Sequence, residues 1–466
     1  METWIDQLAS LLPASQIAVS DQDLLKHSCD SWSIAIKTRQ QGKKTFFPEV
    51  VVYPHDEDEV ARLLAWATEN KISVTPWGAG SAVTGAPLPL TGGITVDMSG
   101  MDQILSVDET NLMVTVQAGT MGGSLEEELN RRGFTLNHSP QSLGISTVGG
   151  WVATRSTGQF SSRYGGIEDL IISLTVVLSS GEIVKTKPTV RPAMGPDWRQ
   201  LFLGAEGTLG IVTEITLKIF PISNHRLFEA VEFDSVLSGL GVMQRIMQSG
   251  LAPFLIRFYD QDESRHLLRD ETYARCVMFL GFEGLEGVAT AEYEAAMEIC
   301  RSADGTALGQ DLVLGWMERR FDFSAVENIQ NNPSGVAETI EVAHFWDGIY
   351  ETYAGLKKAM APYVDQVLAH FSHAYPQGTS LYIILLGAKG VEKDAAEAEE
   401  TLRRIWKTAS EVALQTGAAT AHHHGTGIVR LPVVREELGS SMKLLERVKH
   451  SLDPSGILCP GKLGIP

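Results

Sequence analysis

The chain has 466 residues, enough for two or three packing units at roughly 150 residues each. With 44% hydrophobic and 20% charged residues, it has the makeup of a folded globular protein rather than a disordered one. Lys and Arg total 38 against 57 Asp and Glu, a net charge of −19, which argues against a nucleic-acid partner and leaves room only for a local basic pocket.

In chain order, residues 1–43 form a mixed N-terminal segment. FPEVVVYP (47–54) reads as a strand stopped by Pro54. DEDEVARLLAWATENK (56–71) reads as a helix, with acids in its first turn and Val60, Leu63, Leu64 and Ala67 at helical spacing. ISVTPWG (72–78) is a strand that runs into a glycine loop, followed by strands at 94–99 and 112–119 and a helix at 124–133. After a loop-rich stretch, 139–166, residues 171–186 read as a hairpin and 211–221 as a strand ended by Pro221.

Beyond Pro221 glycine thins out and helical patterns lengthen. Helices are expected at 234–250, 290–305, around 339–372 and at 392–415, with strands at 252–260, 276–284 and 381–387. A short strand around AHHHGTG, a helix near 434–451 and a Pro/Gly-punctuated tail complete the chain. The four cysteines, Cys29, Cys276, Cys300 and Cys459, are scattered and form no C-x-x-C pair, so a disulfide scaffold or zinc ribbon is not expected. The first residues are acidic where a signal peptide is basic, and no apolar run reaches about 18 residues. The expectation is a cytoplasmic protein with no integral membrane segment.

Three glycine-rich segments carry the chemistry. PWGAGSAVTG (76–85) follows a strand, and its amides can point inward at phosphate oxygens; a plain turn is the bland alternative. It is neither a Walker loop nor G-x-G-x-x-G opening a helix. PQSLGISTVGGWVATRSTGQFSSRYG (140–165) is long, polar and dotted with glycine, yet Leu143, Ile145, Val148 and Trp151 argue against disorder. LFLGAEGTLGIVTE (201–214) sets Gly204, Gly207 and Gly210 between a helix and a strand.

In combination and order, these segments resemble the PCMH-type FAD-binding domain of the vanillyl-alcohol-oxidase superfamily over about 44–222, and the tail HHHGTG…LDPSGILCPGKLG fits as well. Within it they most resemble alkylglycerone-phosphate synthase and its bacterial relatives, with the D-lactate and glycolate dehydrogenases the nearest other branch. The resemblance implies an α+β fold: a two-subdomain FAD-binding domain (44–222), an α+β cap or substrate domain (223–415) and a C-terminal segment (416–466) returning to the flavin. It implies FAD contacts from Pro76, Trp77, Gly78, Ala79, Gly80, Ser81 and Ala82 in the first loop. The second segment would add Pro140, Ser142, Leu143, Ser146 and Thr147, then Gly149, Gly150, Thr154, Arg155, Ser156 and Gly158. The third would add Glu206, Gly207, Gly210 and Ile211. Tethered members often carry His or Cys in the first loop; here neither occurs, so the FAD is expected to be non-covalent.

Candidate reacting groups lie in the second half. His422, His423 and His424 read as solvated residues, as a metal site, or as active-site imidazoles, whose pKa near neutrality suits proton transfer. No Cys, Asp or Glu pattern completes a zinc set, so no metal is expected. The resemblance favours the active-site role. Tyr382 is either a core aromatic or, by resemblance, the family's active-site tyrosine. Arg257 alternates with apolar Ile256 and Phe258, so it needs an anion: a structural carboxylate or, by resemblance, the substrate's own phosphate or carboxylate.

One departure stands out. The synthases carry a further cap arginine before an acidic-to-Trp segment. Glu341 and Trp346 match that segment, but no arginine lies between Val326 and Gly348; Arg319 and Arg320 lie upstream as substitutes. His370 and His373 are three apart in the stretch expected to be helical, and read as solvated. The expectation is an FAD-dependent oxidoreductase transferring hydride from a small hydroxylated anion, a 2-hydroxy acid, with an ether-lipid-forming transferase as the alternative. The expected partners are that anion and an unidentified electron acceptor, with homodimerisation open.

Overall fold

The computed structural model describes residues 4–387 and 394–465. A four-stranded sheet runs in the order Ile17–Ala18, Val50–Val52, Ile94–Asp97, Val74–Trp77, its last three strands parallel. Parallel neighbours need a crossover, and the helix Glu57–Asn70 supplies it. That helix buries Val60, Leu63, Leu64 and Ala67 and is capped by Asp56, whose carboxylate accepts from the Glu59 amide at 2.8 Å. A five-stranded antiparallel sheet follows, ordered Ile104–Asp108, Met113–Gln117, Ile211–Lys218, Ile171–Val177, Ile183–Lys185. Its buried aliphatics share one core with the first sheet, and Ile457 and Leu458 from the tail join it. The tail binds the edge strand there: Val74 N donates to Ile457 O and Cys459 N to Val74 O.

The second half is a seven-stranded antiparallel sheet ordered Thr306–Gly309, Arg226–Phe233, Cys276–Glu283, Leu255–Tyr259, Gln366–Ser372, Gly378–Gly387, Val336–Phe345. Strand side chains alternate between faces. Ile256, Phe258, Ala369, Phe371, Leu381, Ile383 and Leu385 bury one face in a large apolar core with the helices Val236–Gln248, Ile349–Met360 and Ala395–Thr416. The opposite face, carrying Arg257, His370 and Tyr382, turns to the glycine loops. The N-terminal segment bridges the halves: Trp32, Ile34 and Ala35 pack in the second core, and Ser33 Oγ donates to Ala337 O at 2.6 Å.

Three expectations need correction. The stretch 339–372 is not one helix but the end of the strand Val336–Phe345, the helix Ile349–Met360 and the strand Gln366–Ser372. Val367, Ala369 and Phe371 alternate into the core, a period of two that outweighs the helical patterns nearby. AHHHGTG is not a strand, because its amides are taken by carboxylates rather than by a ladder: His422 N and His424 N donate to Glu341, and Thr426 N and Gly427 N to Glu206. The helix near 434–451 is two, Val434–Leu438 and Ser441–Leu452, broken at Gly439. Residues 392–393 of the expected helix 392–415 lie outside the described residues. Among the described residues, no helix is long and apolar enough to cross a membrane.

Candidate active site

A cavity of about 650 Å³ lies between the glycine loops and the open face of the seven-stranded sheet. Residues 76–82 line one wall. Pro140, Ser142, Ser146, Thr147, Gly149, Gly150, Thr154 and Ser156 continue it, and Glu206, Gly207, Gly210 and Ile211 close it. Among the described residues, no amide from Gly78 to Ala82 donates to a protein acceptor, so the loop presents a row of free N–H donors. Such donors suit a pyrophosphate without any lysine. Gly80 has φ +70°, and a Cβ there would meet the Trp77 ring at 2.4 Å; a Cβ at Gly207 (φ +78°) would meet Pro76 at 2.4 Å. The loop geometry thus requires glycine. No cysteine lines the cavity.

Three residues expected at this wall stand elsewhere. Leu143 packs into the first core. Arg155 caps the helix Val148–Thr154 in a left-handed conformation and pairs with Glu168 at 3.3 Å, directed to solvent. Gly158 is held against the backbone of His138 and Ser139, where a Cβ would lie 2.4 Å from Ser139 N. Glu206 lines the cavity, but its carboxylate accepts from Thr426 N at 2.6 Å and from Gly427 N at 3.1 Å, so it anchors the histidine loop. Burial pushes its pKa up.

The facing wall is built by strand register. Tyr259 lies opposite His370, His370 opposite Tyr382, and Tyr382 opposite Glu341, a single row across four strands. Directly opposed residues put their side chains on one face, close enough to touch. His370 stacks on Tyr382 with ring centroids 4.9 Å apart and 13° between planes. Arg257, two residues before Tyr259 and so on the same face, donates from Nε to Tyr259 Oη at 2.9 Å and from Nη2 to His370 Nε2 at 2.7 Å. A guanidinium only donates, so His370 carries its proton on Nδ1 and donates to the Glu263 carboxylate at 2.9 Å. Burial, then the Arg257 charge, lowers the His370 pKa. The guanidinium lies over the Tyr259 and Trp316 rings, at 5.2 and 5.6 Å. Among the described residues no carboxylate forms a direct ion pair with Arg257; Glu263 reaches it through His370, and, against burial, the Arg257 charge helps hold the Glu263 pKa down.

The histidine loop crosses the end of this row. Glu341 accepts from both loop amides and from Arg430 Nη2 at 3.0 Å, while Arg430 donates to Thr420 O and Gly425 O, each at 2.7 Å. Thr84 of the first glycine loop donates from Oγ1 to His424 O at 3.2 Å, so both walls grip the loop. His423 and His424 line the cavity beside Tyr382, with centroids 6.0 and 5.6 Å from its ring. His422, expected at the site, sits behind them. It shares hydrogen bonds with His423 (Nδ1 to Nδ1, 2.8 Å) and with Tyr375 Oη (2.8 Å). Burial lowers the pKa of His422 and of His424 to about 4, and that of His423 well below its usual value. Burial likewise pushes Tyr382 up to about 12. At neutral pH the imidazoles are uncharged and the phenol keeps its proton.

His373, read as solvated, is buried. Its ring stacks on His422 at 5.2 Å, and its Nδ1 shares a 2.8 Å hydrogen bond with Ser161 Oγ. One nitrogen each of His373, His422 and His423 lies within 4.8 Å of the others, a third imidazole the sequence reading did not foresee. The 2.8 Å between the His422 and His423 nitrogens is a hydrogen-bond separation, shorter than the roughly 3.3 Å expected for two nitrogens on one tetrahedral zinc. Glu263 was missed by sequence reasoning, Glu341 was noted only as matching the cap segment, and His370 was read as solvated; the alternation Val367, Ala369, Phe371 was the available signal for the last.

Comparison with known proteins shows the cofactor to be FAD. The model of an FAD binding domain matches residues 48–187, and that of the FAD linked oxidases' C-terminal domain matches residues 222–463. The chain belongs to the FAD-linked oxidase family. An uncharacterized FAD-linked oxidoreductase, YgcU, of Escherichia coli O157:H7 is 31% identical over 473 residues, covering 98% of this chain and 97% of that protein. Alkyldihydroxyacetonephosphate synthase of Dictyostelium discoideum is 27% identical, covering 89% and 73%. Glycolate oxidase subunit GlcD of Bacillus subtilis is also 27% identical, covering 89% of both chains. In fold, a solved alkyldihydroxyacetonephosphate synthase matches with a TM-score of 0.82 at 24% identity, covering 98% of this chain and 85% of its own. p-Cresol methylhydroxylase with substrate bound matches with 0.81 at 16% identity, covering 99% and 96%. The chain is therefore an FAD-dependent enzyme of the oxidase/dehydrogenase family with the PCMH-type α+β fold. The free amides of 78–82 and the glycine-lined wall fit FAD.

Proposed function

We propose that the enzyme oxidises a small hydroxylated anion, a 2-hydroxy acid, with non-covalently held FAD. The observation that carries this reading is Arg257: a guanidinium on the cavity wall, fixed by Tyr259 and His370 and, among the described residues, without a direct ion pair to any carboxylate. Its planar fork suits the substrate carboxylate. The division into 44–222, 223–415 and 416–466 belongs to the same reading and is supported by the two separate cores.

Bound FAD supplies the two-electron acceptor for the C–H bond beside the hydroxyl. The chain's own residues bind, orient and handle the proton. Arg257 holds the carboxylate and thereby aims the hydroxyl-bearing carbon across the cavity. Tyr382, protonated at neutral pH, donates a hydrogen bond to the hydroxyl oxygen and fixes its lone pairs. His423 is neutral; in the tautomer whose Nδ1–H donates to His422 Nδ1, its Nε2 is free to accept the hydroxyl proton. The hydrogen-bonded series His423, His422 and Tyr375 spreads that proton away from Arg257. The buried His370 and Glu263 hold the arginine in place. All four cysteines are buried and free, so electrons leave through a diffusible or protein acceptor rather than an iron–sulfur cluster.

The test is anaerobic mixing of the yellow holoenzyme with a panel of 2-hydroxy acids. Loss of the oxidised-flavin absorbance with at least one of them is expected; no bleaching by any member sinks the reading. Metal analysis of active enzyme should find no stoichiometric zinc or iron, whereas a full equivalent would turn the three imidazoles into ligands. A transferase reading is favoured by the His422–His424 run and the synthase relatives. It would be carried by an ether product from acyl-dihydroxyacetone phosphate and a fatty alcohol with no bleaching.

A further inference from the structure

Beside the flavin cavity lies a second one of about 270 Å³, and the two share Arg257, His370 and Tyr382 as a common wall. Its outer wall is cationic. Arg269 caps the helix Gln261–Leu268 in a left-handed conformation, and Arg319 and Arg320 end the helix Asp311–Arg319. With Arg257 that makes four arginines on one small cavity, joined by His266. Among the described residues the only acid in the lining is Glu263, which accepts from His370 at 2.9 Å and also feels the Arg257 charge. Among the described residues, none of the four arginines takes part in an ion pair. Arg320 Nε is buried without a hydrogen-bond partner, although Nη1 donates to Met317 O and the guanidinium lies 4.3 Å from the Phe321 ring centroid.

This is hard to explain as ordinary surface. The chain carries a net charge of −19, and a carboxylate near each arginine would be the default. Arg269 and Arg319 are exposed and Arg257 and Arg320 half-buried, so gathering these four guanidiniums without an ion pair costs some mutual repulsion, least for the exposed pair, unless an anion occupies the space. One carboxylate at Arg257 does not fill it, because Arg257 stands at the boundary and the other three lie beyond. We propose that this side cavity is a subsite for a second anionic group of the substrate, a carboxylate or a phosphate monoester a few atoms from the hydroxyl-bearing carbon. The inference rests on the proposed oxidation in the larger cavity for its substrate class, but not for the anion site itself. The preferred substrates are then dianionic hydroxy acids, and glycolate or lactate uses only half of the site.

Two measurements on the holoenzyme test it. The first compares anaerobic bleaching by matched pairs: 2-hydroxyglutarate against 2-hydroxypentanoate, and 3-phosphoglycerate against glycerate. The distal anion should raise kcat/KM by about tenfold or more in at least one pair, and which pair responds identifies carboxylate or phosphate. The Arg269→Gln/Arg319→Gln double variant should shrink that ratio to within about twofold. Equal rates within both pairs overturn the subsite while leaving the oxidation reading intact. The second measurement is calorimetric titration with inorganic phosphate, which needs no turnover. Wild type should bind it, and the double variant at least about tenfold more weakly; no binding, or equal binding by both, also overturns the subsite. If no hydroxy acid bleaches the flavin but phosphate binding depends on the two arginines, the anion site stands and the oxidation reading falls.

Discussion

The two walls of the proposed flavin cavity are built by opposite means. The glycine-loop wall is mostly backbone: residues 78–82 offer free amides, and at Gly80 and Gly207 what matters is the absence of a side chain. The sheet wall is side chain: Arg257, His370, Tyr382 and Glu341 come from four strands and meet only because the register aligns them. The backbone wall tolerates no Cβ at Gly80 or Gly207, whereas a side-chain wall tolerates substitution in place and should lose chemistry rather than cofactor. Cofactor retention and turnover should therefore separate by wall.

The largest effect is expected on the backbone wall. Gly80→Val should cost at least an order of magnitude in flavin content of the purified protein, because its Cβ would meet the Trp77 ring and its φ disfavours a branched residue. Flavin content equal to wild type would put the pyrophosphate elsewhere. On the sheet wall, Tyr382→Phe and His423→Ala should keep the yellow colour yet lose roughly 10²-fold or more in turnover, the usual scale for an acid–base group. Colour lost along with activity would erase the distinction between the walls.

A smaller effect is expected from Arg257→Ala. Losing a charge-assisted hydrogen bond costs about 1.5–3 kcal/mol, roughly a 10- to 150-fold rise in KM with flavin content unchanged. Arg257→Lys should recover only part, since an ammonium lacks the fork. An unchanged KM in Arg257→Ala would hand the anion to other residues.

The smallest effect concerns pH. His422 and His424, held at about 4 against 6.5 when unfolded, bind fewer protons in the folded than in the unfolded state as pH falls through that window. Their contribution therefore costs stability on acidification from pH 6.5 towards 4 and nothing above it. Asp30 and Glu338, pushed up to about 7 by burial, act with the opposite sign, so the readout is a difference between proteins. His422→Asn/His424→Asn should lose less Tm than wild type between pH 7 and pH 5. An identical loss in both would show that these imidazoles are not buried neutral.

The same contrast explains what was legible beforehand. Glycine loops are local, so residues 76–82 and 204–210 announced themselves as strings. Register is not local. Arg257 stood out only as a charged interruption of an apolar strand and Tyr382 only through the family resemblance, and His370 was read as solvated because its strand lay next to helical patterns. The carboxylates that hold the histidine loop, Glu341 and Glu206, are 81 or more residues away in sequence, and no spacing rule pairs them with it. The strand expected at AHHHGTG failed for that reason: side-chain acceptors took the place of a neighbouring strand.

In the proposed reaction a C–H bond beside a hydroxyl is broken in this cavity with Arg257 holding the anion. That step is tested most directly by anaerobic single-turnover flavin reduction with a bleaching 2-hydroxy acid carrying hydrogen or deuterium at C2. The account predicts slower reduction with deuterium at saturating substrate in both wild type and Arg257→Ala, with the variant needing at least tenfold more substrate to saturate. Reduction insensitive to deuterium, or saturation unchanged by removal of Arg257, would contradict it.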